Sequence, residues 1–139
     1  MMALTTLYRP SRESELGDPV ERLFVQDNYN VGYEVPFGLK RIDLFFWRRK
    51  GCPEIVAVEL KLRDWRRAVW QAVHNRQVAT VSYIALPVQS IGAVDAGILR
   101  CLGLGLIGVE SKNATIFLRA KRSQVFNATM ADRILRHIR

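Results

Sequence analysis

The sequence predicts a single α/β domain spanning residues 1–139. Its core is a mixed β-sheet, an antiparallel meander followed by later strands, flanked by helices on both faces. Three strand-like runs succeed one another between residues 29 and 62 with only short turns between them, and short links join antiparallel neighbours. Beyond them, helical and strand periods alternate to about residue 121, the succession expected of strands joined by crossover helices. With 139 residues the chain can bury one core but not two.

Residues 1–12 read as a flexible arm. ESELGDPVERLFVQD follows, in which Asp18 and Pro19 stand in the cap-then-proline order that opens a helix, so the regular part is expected from about Pro19 to Gln26. YNVGYEVPF and LKRIDLFFW are two strands separated by a turn at Gly38, and EIVAVELKL is a third after the turn signal KGCPE. DWRRAVWQAVHNR is a helix with Asp64 as N-cap, its stripe of Trp65, Ala68, Val69, Ala72 and Val73 facing the sheet. TVSYIALP is then a strand, SIGAVDAGILRCL a helix and LGLIGVE a strand. TIFLRAK is a last strand paired across SKNA, and TMADRILRHIR is a closing amphipathic helix with a basic surface.

A net charge of +8 and a pI near 10.1 favour an anionic partner, and nucleic acid is the commonest one for a small basic protein. No run approaches the roughly 20 apolar residues of a spanning helix, and the opening residues lack a signal-peptide pattern. Cys52 and Cys101 stand apart without metal-ligand spacing. These features lead us to expect a soluble, intracellular, cytoplasmic protein without membrane contact.

The run IVAVELKLRDW is apolar enough for a buried strand, yet Glu59 and Lys61 lie within it on one face. An ionised group in a protein interior costs several kcal/mol unless something compensates it. Asp43, another lone acid in a strand, precedes Glu59 in the neighbouring run. Two carboxylates converging from adjacent strands suit Mg²⁺, which takes one or two carboxylates with waters and phosphate oxygens. Lys61 beside them would serve an attacking water or the charge on a reacting phosphate.

Asp43, then Glu59-Leu60-Lys61 directly ahead of a helix, resembles the PD-(D/E)xK nuclease superfamily, whose members share the restriction-endonuclease-like core. The resemblance covers the first helix through TVSYIALP and, more weakly, the LGLIGVE strand. It implies that Asp43 and Glu59 bind Mg²⁺ or Mn²⁺, that the Leu60 carbonyl adds a ligand, and that Lys61 is the catalytic lysine. By the same resemblance Glu21 is the first-helix acid that joins the site and Gln71 the helical Gln after the triplet. Ile42 stands where the family's pattern has Pro, and QAVHN lacks the Tyr that follows the Gln in one branch.

Arg66, Arg67 and Trp70 lie off the apolar stripe, where they would grip phosphates and stack on bases, or form a contact between two copies. Glu34 is a rival carboxylate that reads more simply as solvent-facing. GLGLIG spells GxGxxG in the reverse of the dinucleotide-binding context, so Gly103 reads as a helix stop. His74 and His137 have no partner at motif spacing. The expectation is a Mg²⁺-dependent deoxyribonuclease, an endonuclease in the first instance, acting on DNA and suited to a homodimer. The alternative is a non-catalytic nucleic-acid-binding module of the same fold.

Overall fold

The computed structural model of the chain describes residues 8–50 and 52–138. A 3-10 turn (Glu13–Leu16) leads into α1 (Gly17–Val25), followed by β1 (Asn30–Phe37), β2 (Lys40–Lys50), β3 (Cys52–Leu60) and α2 (Trp65–Asn75). Next come β4 (Val81–Pro87), two short helices α3 (Val88–Ile91) and α4 (Ala96–Leu102), the hairpin β5 (Gly105–Glu110) and β6 (Asn113–Leu118), and α5 (Ala128–Ile138). The six strands form one sheet in sequence order, with β1, β2 and β3 antiparallel, β3, β4 and β5 parallel, and β6 antiparallel to β5. The expected mixed sheet with an antiparallel meander is therefore what the chain forms.

Alternation sorts the strand residues between two layers. On one face Leu44, Phe46, Val56 and Val58 meet Leu16, Val20 and Phe24 from the 3-10 turn and α1. On the other, Phe45, Ile55 and Ala57 meet Ala131, Ile134 and Leu135 of α5, while Ile84, Leu86 and Leu106 meet Trp65, Ala68, Val69 and Ala72 of α2. Each fully buried Leu, Ile or Phe contributes about 1.5–3 kcal/mol relative to an exposed one, so the sheet can carry a polar exception in its interior. Two such exceptions are Ser82 of β4 and the ionisable Glu59 of β3, each only 1% exposed.

Several boundaries differ from expectation. The first helix begins ahead of Pro19, because Glu13–Leu16 already winds as a 3-10 turn. SIGAVDAGILRCL breaks into two helices where Asp95 caps α4, its side chain accepting from the Gly97 and Ile98 amides. The last strand stops at Leu118. Of the expected arm, residues 1–7 lie outside the described residues, whereas the Tyr8 ring packs on the α1 core and its carbonyl accepts from Gln89 Nε2 at 2.8 Å. Among the described residues no helix is long and apolar enough to cross a membrane.

GLGLIG is accounted for by packing. Gly103 ends α4 with φ 72°, the left-handed cap that glycine adopts most easily. A Cβ on Gly105 would lie 2.2 Å from the Tyr83 ring, and one on Gly108 the same distance from the Phe117 ring.

Candidate active site

The candidate site forms where β2 and β3 part. Their ladder runs from Lys50↔Cys52 to Leu44↔Val58, and continuing it by one residue sets Asp43 opposite Glu59. Instead of another main-chain rung, Asp43 Oδ2 accepts the Leu60 amide at 2.8 Å. The carboxylate thus stands in for the backbone carbonyl of a regular ladder. On the other side of β2 the ladder with β1 also skips this position, between Tyr33↔Leu44 and Val35↔Ile42. There Glu34 takes φ 47°, an uncommon backbone for a residue with a side chain. The Glu34 carboxylate is exposed and 3.8 Å from Arg41 Nη1, which agrees with its reading as a solvent-facing acid.

Glu59 reaches the α2 face of the sheet. Its Oε2 accepts from Asn75 Nδ2 at 2.7 Å, both residues being buried. Its Oε1 is buried with no hydrogen-bond partner among the described residues, and so is Oε1 of Gln71. Gln71 and Asn75 are four apart on α2 and share a face. The helix is held in place by its Asp64 cap, which accepts the Arg67 amide at 3.3 Å, and by Ser82 Oγ, which donates to the Ala72 carbonyl at 2.7 Å.

Electrostatics couple the two acids. Burial, and then the Asp43 charge, push Glu59 up to about 8, against the pull of the Asn75 amide. Burial also raises Asp43, while the Leu60 amide and Lys61 pull it down. Burial and the closeness of the second carboxylate thus favour a proton held within the pair. A divalent cation would replace that proton.

Lys61 lies one residue past β3, its amide donating to the Ala85 carbonyl at 3.0 Å. Its Nζ is 3.7 Å from Glu13 Oε2, and that same oxygen accepts the Leu62 amide at 3.3 Å. Glu13, from the turn ahead of α1, is thus the N-terminal acid that approaches the site. Glu21, expected in that role, accepts a hydrogen bond from the Tyr33 hydroxyl. Glu13 precedes the helical pattern, in a turn that sequence periodicity does not mark.

Among the described residues no three His, Cys, Asp or Glu side chains gather as a metal-binding group. The set is two carboxylates, which Mg²⁺ accepts when waters and phosphate oxygens complete its shell. The orphaned Oε1 of Glu59 fits such an ion. Beyond Lys61, Leu62 and Arg63 line a cleft of about 730 Å³ together with Tyr8, Arg9, Pro87 and Ser90. It lies at the carboxyl ends of the parallel strands β3, β4 and β5, where open α/β sheets bind ligands.

No family model matches the chain, and no curated protein matches it. Among solved structures the chain is similar to a Silicibacter pomeroyi protein of unknown function, with a TM-score of 0.69 and 20% identity over 89% of this chain and 81% of that one. At that identity the likeness concerns the fold.

The remaining predicted residues sit on the outer side of α2. Arg66, Arg67 and Trp70 are exposed, and the Arg66 guanidinium lies 4.6 Å from the Trp65 ring centroid. Asn75 was missed in sequence because the apolar stripe was read only to Val73. A polar residue one turn beyond Gln71 on a buried face needs a partner, and that was the available signal.

Proposed function

We propose that the chain is a metal-dependent nuclease that hydrolyses DNA phosphodiester bonds through a PD-(D/E)xK-type site on a restriction-endonuclease-like core. The observation that carries this reading is the meeting of Asp43 and Glu59 from adjacent strands, with Glu59 Oε1 buried and without a hydrogen-bond partner among the described residues. A +8 protein with a cleft lined by Leu62 and Arg63, the residues that follow Glu59-Leu60-Lys61 in the chain, is suited to a polyanionic substrate.

Asp43, Glu59 and the Leu60 carbonyl are the groups that would hold Mg²⁺ or Mn²⁺. Bound there, the ion supplies Lewis-acid polarisation of a phosphate oxygen and a more acidic water. To bind it, Glu59 gives up the proton that burial and Asp43 otherwise impose. Asn75 holds the Glu59 carboxylate in place. Lys61 carries a positive charge toward the attacking water or a phosphate oxygen, and Glu13 positions that ammonium. Gln71 contributes a buried acceptor on the same helix face. Cleavage of both strands suits a homodimer.

The test is incubation of the purified protein with plasmid, linear, single-stranded and four-way-junction DNA in Mg²⁺, Mn²⁺ or EDTA, beside Lys61→Ala. Metal-dependent products that vanish in the variant are expected. Substrates that are bound but never cut would replace this reading with a non-catalytic binding module of the same fold.

A further inference from the structure

Gly38 and Leu39 make the two-residue turn between β1 and β2, closed by the Phe37↔Lys40 pair. Gly38, at φ 62°, occupies the first central position, where a type II′ turn has its glycine. The tip side chain, Leu39, is fully exposed, and Trp70 on α2 is 73% exposed. Lys40 and Trp70 line one groove of about 640 Å³ with His74, Gln77 and Met130. The His74 ring stacks on Phe37 with centroids 4.6 Å apart. Arg66 and Arg67 lie four and three residues before Trp70, on the neighbouring turn of α2.

Single exposed apolar residues are ordinary. Here an exposed tryptophan lines a groove with Lys40, the chain neighbour of the exposed hairpin-tip Leu39, and Arg66 and Arg67 add positive charge one turn away on α2, a combination that fits a ligand with flat apolar faces and negative charge. A B-form duplex presents phosphates and base edges but keeps its base faces stacked. Unpaired bases offer those faces to aromatic side chains, and leucine serves elsewhere as a wedge between base steps. Leu39 is four residues from Asp43, about 13 Å along an extended strand, so a base held at the groove belongs to the stretch of strand that reaches the carboxylates. Taking DNA as the ligand from the reading above, we infer that the substrate is DNA with unpaired bases. Trp70 stacks on one such base while Leu39 blocks re-pairing.

The experiment is anisotropy titration of labelled single-stranded, forked and blunt duplex oligonucleotides in EDTA, so that no cleavage is needed. Wild type should favour the single-stranded and forked substrates over blunt duplex by about tenfold. Trp70→Ala and Leu39→Ser should each bring that ratio toward one with Tm unchanged, and Trp70→Phe, which keeps a stacking ring, should retain it. Equal affinity for all three substrates, or a preference that survives in the Trp70→Ala, Leu39→Ser double variant, would overturn the inference. If no DNA binds at all, the nuclease reading falls with it. A preference without metal-dependent cleavage sinks the nuclease reading alone. Conversion of a wild-type dimer to monomer by Trp70→Ala, with the substrate ratio unmoved, would assign the groove to a second copy and also overturn it.

Discussion

Asn75 Nδ2 donates to Glu59 Oε2 at 2.7 Å, so a helix side chain, and not solvent, holds the buried carboxyl on the sheet. Replacing Asn75 with Ala leaves that oxygen without a donor, which costs about 1–3 kcal/mol. It also removes the one side-chain contact that favours ionised Glu59, so Mn²⁺ affinity should fall at neutral pH. Urea unfolding and calorimetric titration with Mn²⁺ measure the two effects separately, and unchanged values of both would remove Asn75 from the site.

The elevated Glu59 makes stability depend on pH in a direction opposite to that of a salt-bridged acid. Its folded pKa of about 8 lies above its ordinary 4.5, so between those values the folded chain binds a proton that the unfolded chain has released. Stability therefore falls as pH rises through this window and levels off above it. The metal-free Tm should drop from about pH 5 to about pH 8, and Glu59→Gln should flatten most of that slope. Mn²⁺ should raise Tm more at the upper end, where less proton must be displaced.

Lys61 and Glu13 separate charge from placement. Lys61→Ala should lower the rate of DNA cleavage by about 10²–10⁴-fold, the range for a positioned proton-transfer group. Glu13→Gln keeps the ammonium but loosens its anchor, 3.7 Å away. It should cost less, act on kcat more than on KM, and be mimicked by Glu13→Ala. A Glu13 variant as inactive as Lys61→Ala would mean that the carboxylate itself takes part in the chemistry.

Gly105→Ala tests the explanation of GLGLIG by packing. The added Cβ would meet the Tyr83 ring at 2.2 Å and the Ala120 amide nitrogen at 2.7 Å. Overpacking against backbone leaves little room for relief, and the loss should reach about 3 kcal/mol in chemical denaturation. A neutral substitution would show that the β5–β6 hairpin shifts freely.

The meander was legible because alternating apolar runs joined by short turns have few other ways to pair. The same alternation brought Asp43 and Glu59 into view as lone acids in apolar strands, and the structure sets them opposite each other. Glu13 was not legible, since a 3-10 turn of four residues has no period to announce it. Glu21, the first-helix acid to which the resemblance points, is bonded to Tyr33. The break in SIGAVDAGILRCL turns on Asp95 capping a second helix, a local hydrogen bond that competes with an otherwise continuous apolar pattern.

Where β2 and β3 part, the Asp43 carboxylate does the work of a missing carbonyl, and this bears on how the protein should be disabled. Asp43→Ala would strip an amide of its acceptor as well as the proposed cation site of a ligand, so loss of the proposed activity and a frayed sheet would look alike. Asp43→Asn retains an oxygen for Leu60 while discarding the charge. Under the proposed nuclease reading it is the control expected to bind DNA uncut on an intact scaffold.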